Sequence, residues 1–217
     1  MPPLRIDVWS DLACPWCYIG KRRLDAALAQ AALADGVELV WRGFELDPSA
    51  PAVRDDGLTQ AQRLAAKYRR SEAEAEAMIA NVTRIAAGDG LTFHIDRSRG
   101  GNTFDAHRVV KLAATYGRAT EAKERLFRAY FTDGRALGER ATLVELATEL
   151  GLDAAEVEAA LAGDRFAAEV RADQRLAREL GISGVPFFVF DQRLAVSGAQ
   201  PVAALVGALA QATAAAE

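Results

Sequence analysis

The sequence predicts an α/β fold in which a small sheet is interrupted by a long helical insertion. Two stretches with strand patterns lie near the start of the chain, and two more lie near its end. Between them, apolar residues recur at helical spacing over roughly a hundred residues. Of the 217 residues, 51% are hydrophobic and 26% are charged, which is typical of a globular protein with a substantial core.

The first strand, helix and second strand form one continuous unit. Residues 4–9 alternate between apolar and polar side chains, as a strand with one buried face does. A helix is predicted from the Cys-x-x-Cys motif at Cys14 to about Leu33, and Val37–Phe44 follows as the second strand. A unit of this length joins two parallel strands through a helical crossover.

The middle of the chain carries helix-start signals. Residues 47–57 are rich in Pro, Asp and Gly, which is typical of a linker. Ser71 and Glu74 have the spacing of a capping box, and Asn102 with Asp105 is expected to open a further helix.

Strand character returns at Pro186–Phe190 and Arg193–Val196, which we expect to pair as a hairpin. This order predicts a discontinuous sheet domain made of residues 1–48 and 172–217. Residues 49–171 are then a helical insertion domain.

Charge and hydropathy exclude several classes of protein. With 26 basic and 30 acidic residues the net charge is −4, so the basic surface of a nucleic-acid-binding protein is not expected. No apolar run reaches the roughly 20 residues of a membrane helix. The N-terminal segment lacks a basic region followed by an apolar stretch, so a cytoplasmic location is expected.

Cys14 and Cys17, the only two cysteines of the sequence, lie where the first strand gives way to a helix. This count excludes a scaffold held by disulfides. The helix N-terminus, with Pro15 at its first position, stabilises a thiolate at Cys14. We expect Cys14 to be an exposed nucleophile and Cys17, one turn further in, to resolve the mixed disulfide. The alternative is that the two cysteines are two of the four ligands of a zinc ion. His94 and His107 lack the spacing needed to supply the other two ligands, so no metal is expected.

A Val185–Pro186 step opens the third strand and follows Gly181 and Gly184. Proline is tolerated at the first position of a strand. A cis bond there would present the Val185 backbone as an edge with which an extended substrate pairs. Together with the upstream dithiol, this predicts that Val185 and Pro186 face Cys14.

Five motifs in a fixed order carry a resemblance to a known family. They are Cys14-Pro-Trp-Cys17, Asn102-Thr-Phe-Asp-Ala-His-Arg108, Ala129-Tyr-Phe-Thr-Asp-Gly134, Gly184-Val-Pro-Phe-Phe-Val189 and Val196-Ser-Gly-Ala-Gln200. With this set the chain resembles the DsbA family of thioredoxin-fold proteins, and within it the FrnE-like branch, over nearly its whole length.

The resemblance implies a thioredoxin fold, catalytic Cys14 and Cys17, and a cis-Pro186 that faces them. It also suggests that Asn102 and His107 lie near the cleft; the alternatives are a helix N-cap for Asn102 and a packed helix residue for His107. It implies no metal or organic cofactor beyond the redox-active Cys14–Cys17 disulfide, with glutathione as a reductant or co-substrate. The expected substrate is a disulfide or thiol, on a protein or a small molecule.

Two further residues bear on the redox chemistry. Trp16 stands where the best-known DsbA oxidants carry histidine, and it supplies no positive charge to a thiolate, so we expect a weaker oxidant. Asp7, on the preceding strand, is either the buried carboxylate that shuttles the second cysteine's proton in thioredoxins or an outward-facing strand residue.

The sequence therefore predicts a thiol–disulfide oxidoreductase acting as a reductase, isomerase or oxidase. One alternative is a glutathione-dependent isomerase of the 2-hydroxychromene-2-carboxylate isomerase and kappa glutathione transferase type. Those proteins typically carry serine at the catalytic position, so the presence of both Cys14 and Cys17 argues against it. The other alternative is a peptide-binding chaperone without redox turnover.

Overall fold

The computed structural model describes residues 3–33 and 36–214, and a four-stranded sheet forms its α/β part. The strands lie in the order β2-β1-β3-β4 and are β1 (Leu4–Ser10), β2 (Val37–Gly43), β3 (Phe187–Phe190) and β4 (Leu194–Ser197). β1 and β2 are parallel, whereas β3 is antiparallel to both β1 and β4. The predicted α/β fold, with its sheet split by a helical segment, is confirmed.

One face of the sheet, called the α1 face below, is apolar and closely packed. α1 (Pro15–Gln30) and α9 (Val202–Ala214) pack against each other, and α9 also contacts β3 and β4. Successive side chains of a strand point to opposite faces, so the strand register places one set of buried residues together here. That set is Ile6, Val8, Phe188 and Phe190.

The opposite face, called the α8 face below, carries α8 (Ala167–Glu179), which packs on β2. Trp9 forms a buried cluster with Ala177 and Ile182, and Phe187 packs against that cluster. The side chains of this face alternate along the strands with those of the α1 face, as the register requires.

An ion network ties α8 to the first two strands. Arg42 of β2 contacts Asp7 Oδ1 at 2.7 Å and Asp173 Oδ1 at 2.9 Å. Asp173 also accepts the backbone N–H of Gly43 at 2.9 Å, and its carbonyl accepts the indole N–H of Trp9 at 3.0 Å. Both carboxylates are buried, and a buried charge is stable only with such partners.

The chain divides into two compact units. The sheet unit consists of Met1–Leu46 and Phe166–Glu217, and the helical unit is Asp47–Arg165. These limits differ from the boundaries expected after residues 48 and 171, and the second of those would cut α8 in two. α8 belongs whole to the sheet unit because Asp173, in its middle, holds groups of both β1 and β2.

The helical unit has its own core. Its helices are α2 (Gln60–Tyr68), α3 (Glu72–Gly88), α4 (Phe104–Ala114), α5 (Ala119–Phe131), α6 (Arg140–Glu149) and α7 (Ala154–Ala162), with a 3-10 turn at Ile95–Arg97. Fully buried side chains from α4, α5 and α6 include Leu112, Leu126, Phe127, Phe131, Leu143 and Leu146. The predicted capping box of α3 is present, with Ser71 and Glu74 bonding each other's backbone N–H.

α2 lies in the stretch that the sequence predicts to be helical, and its apolar residues Ala61, Leu64, Ala65 and Tyr68 recur at helical spacing. Among the residues of α2, all of which the structure describes, only Ala61 is buried. A second capping box starts α2: Thr59 Oγ1 accepts the Gln62 N–H at 3.1 Å, and Gln62 Oε1 accepts the Thr59 N–H at 3.0 Å. Within the described ranges, no helix combines the length and the apolar character needed to cross a membrane.

Candidate active site

The Cys-x-x-Cys motif forms the turn between β1 and α1. Cys14 is the N-cap of α1 in an extended conformation, and Pro15 follows in the first turn. The Cys14 N–H donates to the Asp11 carbonyl at 3.1 Å, and the Cys17 N–H donates to the Cys14 carbonyl at 3.0 Å. An N-cap side chain lies beside the free N–H groups of the first turn, where the helix dipole favours an anionic sulfur.

Cys14 is the outer of the two thiols, yet it is buried, with 5% of its surface exposed. Its Sγ lies 3.7 Å from the Val185 carbonyl oxygen, to which the thiol donates a weak hydrogen bond. The segment before β3 thus lies against the sulfur. The expectation that Cys14 is exposed is wrong, because residues 171 positions apart in the chain meet here.

Cys17 lies one turn further along α1 and is 1% exposed. Burial raises the pKa of the Cys17 thiol well above its ordinary value. The hydrogen bond and charge of Cys14 and the charge of Asp11 raise this pKa further, whereas a hydrogen bond with the Asp11 backbone lowers it. Both cysteines are free thiols. Cys17 therefore stays protonated at neutral pH, which separates its chemical role from that of Cys14.

Pro186 is buried beside α1, and the Val185–Pro186 peptide bond is cis. The ring lies so close to the helix that a Cβ atom on Gly20 would be 2.7 Å from Pro186 Cγ. The Pro186 carbonyl accepts the Gly198 N–H at 2.8 Å. The structure thus brings Cys14, Val185 and Pro186 together. Pro186 contacts α1 on one side and is hydrogen-bonded to the end of β4 on the other.

Trp16 is the exposed member of the motif, with 39% of its surface accessible. The basic residues that follow it in α1 make contacts within the sheet unit. Buried Lys21 pairs with Asp25 at 2.9 Å, and Arg23 donates to the Ala199 carbonyl at 2.6 Å. The Lys21 pair thus lies within α1, while Arg23 ties α1 to the segment that follows β4.

Asp11 is a site residue that the sequence reasoning overlooks. Its carboxylate is buried and accepts the N–H groups of Ala13 at 3.1 Å and Leu46 at 2.7 Å. The first bond closes an Asx-type turn that leads into the Cys-x-x-Cys motif. An Asp three residues before Cys14 is the signal that could have identified it.

Asp7 does not face outward; it is buried on the α8 face, with 4% of its surface exposed. Burial raises the pKa of Asp7, but hydrogen bonds from Arg5 and Arg42 outweigh this and hold that pKa below its usual range. Cys17 belongs to α1, which packs on the other face. Asp7 is therefore a structural carboxylate, and the interpretation as an outward-facing residue is wrong.

Asn102 and His107 belong to the helical unit. The N-cap of α4 is Thr103, while Asn102 Oδ1 accepts the N–H of Phe104 at 2.8 Å. Asn102 also lines a cavity of about 220 Å³ together with Phe104 and Asp105. His107 is buried in α4. That either residue lies near the dithiol stays a prediction.

The other histidine, His94, also lies in the helical unit, where its backbone N–H donates to the Phe131 carbonyl at 2.7 Å. Among residues 3–33 and 36–214, no cluster of three or more His, Cys, Asp or Glu side chains is arranged to hold a metal ion.

The chain is similar to members of a known protein family. The family model of a DSBA-like thioredoxin domain matches residues 5–210. A probable DsbA oxidoreductase from Streptomyces coelicolor has a similar solved structure, with 45% sequence identity and a TM-score of 0.90. The match covers 97% of this chain and 90% of that one.

Two more distant solved structures share the fold. The cytosolic disulfide reductase DsbM from Pseudomonas aeruginosa, solved with GSH, is 23% identical with a TM-score of 0.67, and the match covers 96% of this chain and 98% of that one. A 2-hydroxychromene-2-carboxylate isomerase is 16% identical with a TM-score of 0.71, and the match covers 95% of each chain. At these identities the likeness shows the fold alone.

The thioredoxin fold that the sequence predicts is confirmed by these matches, while assignment to the FrnE-like branch stays a prediction. Since the family model spans nearly the whole chain, including β1, the Cys-x-x-Cys turn, Pro186 and β4, the chain belongs to the family of DSBA-like thioredoxin domains and is a DsbA-like oxidoreductase.

Proposed function

We propose that the chain is a thiol–disulfide oxidoreductase in which Cys14 is the nucleophile and Cys17 resolves the mixed disulfide. The observation that carries this proposal is the unequal pair of thiols at the start of α1. Cys14 is the N-cap, where a thiolate is stabilised, whereas burial keeps Cys17 protonated.

The reaction follows from this inequality. The Cys14 thiolate attacks one sulfur of a substrate disulfide, a Cys14–substrate disulfide forms, and the other substrate sulfur leaves as a thiolate that takes up a proton. Cys17 then loses its proton and attacks Cys14 Sγ, which releases the second substrate thiol and leaves a Cys14–Cys17 disulfide. Two electrons pass from the dithiol to the substrate.

Regeneration of the dithiol needs a reductant, for which we propose glutathione. Two glutathione molecules reduce the Cys14–Cys17 disulfide and leave as oxidised glutathione. DsbM, which shares the fold, was solved with GSH and is described as a cytosolic disulfide reductase. A cytosolic glutathione pool holds a dithiol of moderate potential mostly reduced, which favours reductase or isomerase work in the cytoplasm. No metal or organic cofactor takes part in this scheme.

Protein disulfides are the substrates we favour over small molecules. The Val185 carbonyl beside Cys14 Sγ is a backbone acceptor of the kind that pairs with an extended peptide. Exposed Trp16, next to the nucleophile, offers an apolar contact for the side chains that flank a substrate cysteine.

A glutathione-dependent isomerase and a chaperone are the alternatives. The isomerase shares the fold at 16% identity. Neither alternative uses Cys17, because isomerisation needs no resolving thiol and peptide binding needs no thiol at all. The role of Cys17 therefore separates the proposed oxidoreductase from both alternatives.

The test is insulin disulfide reduction with glutathione as the reductant, using wild type, Cys14→Ser and Cys17→Ser. Wild type is expected to accelerate reduction, Cys14→Ser to be inactive, and Cys17→Ser to accumulate a Cys14–glutathione disulfide visible by mass spectrometry. Full activity of Cys14→Ser would contradict the proposal. Aggregation suppression by the double serine variant, without reductase activity in wild type, would favour the chaperone.

A further inference from the structure

We infer that Gly20 is a positioning residue that sets the distance between Cys14 Sγ and the Val185 carbonyl by letting Pro186 approach α1. The inference rests on the proposed function of the dithiol. It adds a residue that no sequence motif for catalysis marks, three positions after Cys17 in the interior of α1.

The observation is the space at Gly20. A Cβ atom there would lie 2.7 Å from Pro186 Cγ, 3.3 Å from Pro186 Cβ and 3.3 Å from Phe188 Cζ. Carbon atoms pack at about 3.5–4.0 Å, so even the methyl group of alanine does not fit without movement. The clash falls on a proline ring, which moves only together with its backbone.

The surroundings of Pro186 oppose such a movement. Its carbonyl accepts the Gly198 N–H at 2.8 Å, and two residues later Phe188 pairs with Val8 inside the sheet. From the α1 side, Arg23 donates to the Ala199 carbonyl at 2.6 Å and so ties the helix to the segment that follows Gly198. Pro186 is thus held between α1 and the end of β4.

Displacement of the ring changes the site because Pro186 is joined directly to Val185. The Cys14 Sγ to Val185 oxygen distance is 3.7 Å, near the upper limit for a hydrogen bond to sulfur. A ring pushed outward by several tenths of an ångström carries the Val185 carbonyl with it. The bond from Cys14 then weakens, and the acceptor proposed for the substrate backbone moves away from the nucleophile.

Gly207, in the same unit, is a helical glycine that lacks the close contact found at Gly20. It lies inside α9, is exposed, and has nothing within 4 Å of a built Cβ atom. Glycine is unfavourable in any helix interior compared with alanine. At Gly207 no contact explains the glycine, whereas at Gly20 the close approach of Pro186 does.

The expected effect is on the dithiol–disulfide equilibrium. The reaction is protein dithiol plus oxidised glutathione giving protein disulfide plus two glutathione molecules. The bond from Cys14 to Val185 needs a protonated Cys14 and exists only in the reduced protein. In an acidic buffer that keeps Cys14 a thiol, loss of this bond therefore weakens the reduced form. Gly20→Ala should shift the equilibrium constant about two- to fivefold toward the protein disulfide, as expected for one modest hydrogen bond.

The experiment equilibrates full-length wild type, Gly20→Ala and Gly207→Ala with mixtures of reduced and oxidised glutathione in this acidic buffer and measures the reduced fraction by alkylation and mass spectrometry. The inference predicts a shift for Gly20→Ala and none for Gly207→Ala. Folded Gly20→Ala with the wild-type equilibrium would overturn it, and so would an equal shift in both variants. Insulin reduction should show a raised KM for Gly20→Ala alone.

A second variant covers the case in which Gly20→Ala does not fold. Arg23→Ala removes the bond to Ala199 without any clash and should shift the equilibrium in the same direction, by less. An unchanged equilibrium in folded Arg23→Ala would then overturn the inference. The equilibrium belongs to the chain's own two thiols, so it is measurable even if wild type fails to reduce insulin, and the two failures are distinguishable.

Discussion

On the α1 face of the sheet, the contacts around the dithiol are short and mostly uncharged: a proline ring against a glycine, and a thiol against a carbonyl oxygen. On the α8 face, Arg42 lies between the carboxylates of Asp7 and Asp173. The same strand, β1, contributes Asp7 to the second face and leads into Cys14. The Arg42 ion network thus lies on the face that holds α8, whereas the charge that acts on Cys17 comes from Asp11, in the turn before the dithiol.

This separation predicts that variants of the two faces differ in what they change. Variants of the α8 face should alter stability and leave the glutathione equilibrium unchanged. Variants of the α1 face near Pro186 should alter the equilibrium.

Asp173→Ala should be the most destabilising of these variants. It leaves Arg42 without one of its carboxylates and the Gly43 N–H without its acceptor, and removing one partner of a buried ion pair costs about 3 kcal/mol or more. Urea unfolding measures the loss. Glu145→Ala, which removes the carboxylate of the exposed pair with Arg135, is the matched control and should change little.

The folded fraction of Asp173→Ala should keep the wild-type glutathione equilibrium. An equilibrium shifted as far as that of Gly20→Ala would break the proposed separation of the two faces.

Asp7→Asn should change the pH dependence of stability. The pKa of Asp7 is lowered in the folded protein, so its carboxylate contributes stability above the unfolded pKa of about 3.9, and this is lost as the pH falls through the folded value. We expect a loss of about 1–2 kcal/mol at pH 7, since Arg5 is partly solvated, and a smaller difference from wild type at pH 3. Urea unfolding at both pH values tests this; an equal difference at both would contradict it.

Each single serine variant leaves one thiol to react with iodoacetamide. At pH 7, Cys17 in Cys14→Ser should react at least about tenfold more slowly than Cys14 in Cys17→Ser, because burial keeps the Cys17 thiol protonated. The sequence has two cysteines, so each variant reports on one thiol. Alkylation followed by mass spectrometry gives both rates. Equal rates in the two variants would remove the inequality on which the proposed mechanism rests.

Gly207→Ala should stabilise the protein by about 0.5–1 kcal/mol, the difference in helix propensity at an open position of a helix. Gly20→Ala makes the same chemical change in α1 and should lack this gain. Thermal or urea unfolding of the two variants side by side measures the difference, and equal stabilisation by both would show that Pro186 does not restrict position 20.

Much of the fold could be predicted because its signals are local. Alternation along β1 and the capping box at Ser71 and Glu74 each depend on residues a few positions apart. The limit of the sheet unit before α8 was misplaced because the contacts of Asp173 with Trp9 and Gly43 span more than a hundred residues.

Local patterns are enough to place Cys14 and Cys17 at a strand–helix junction and a proline at the start of the third strand, because strand alternation and the helix start are properties of neighbouring residues. Packing of the folded chain, in contrast, buries Cys14 against Val185, buries Asp7 on the face opposite α1 and leaves no room for a side chain at Gly20. These are distances between segments remote in the chain, fixed by packing at full density, and no local pattern encodes them.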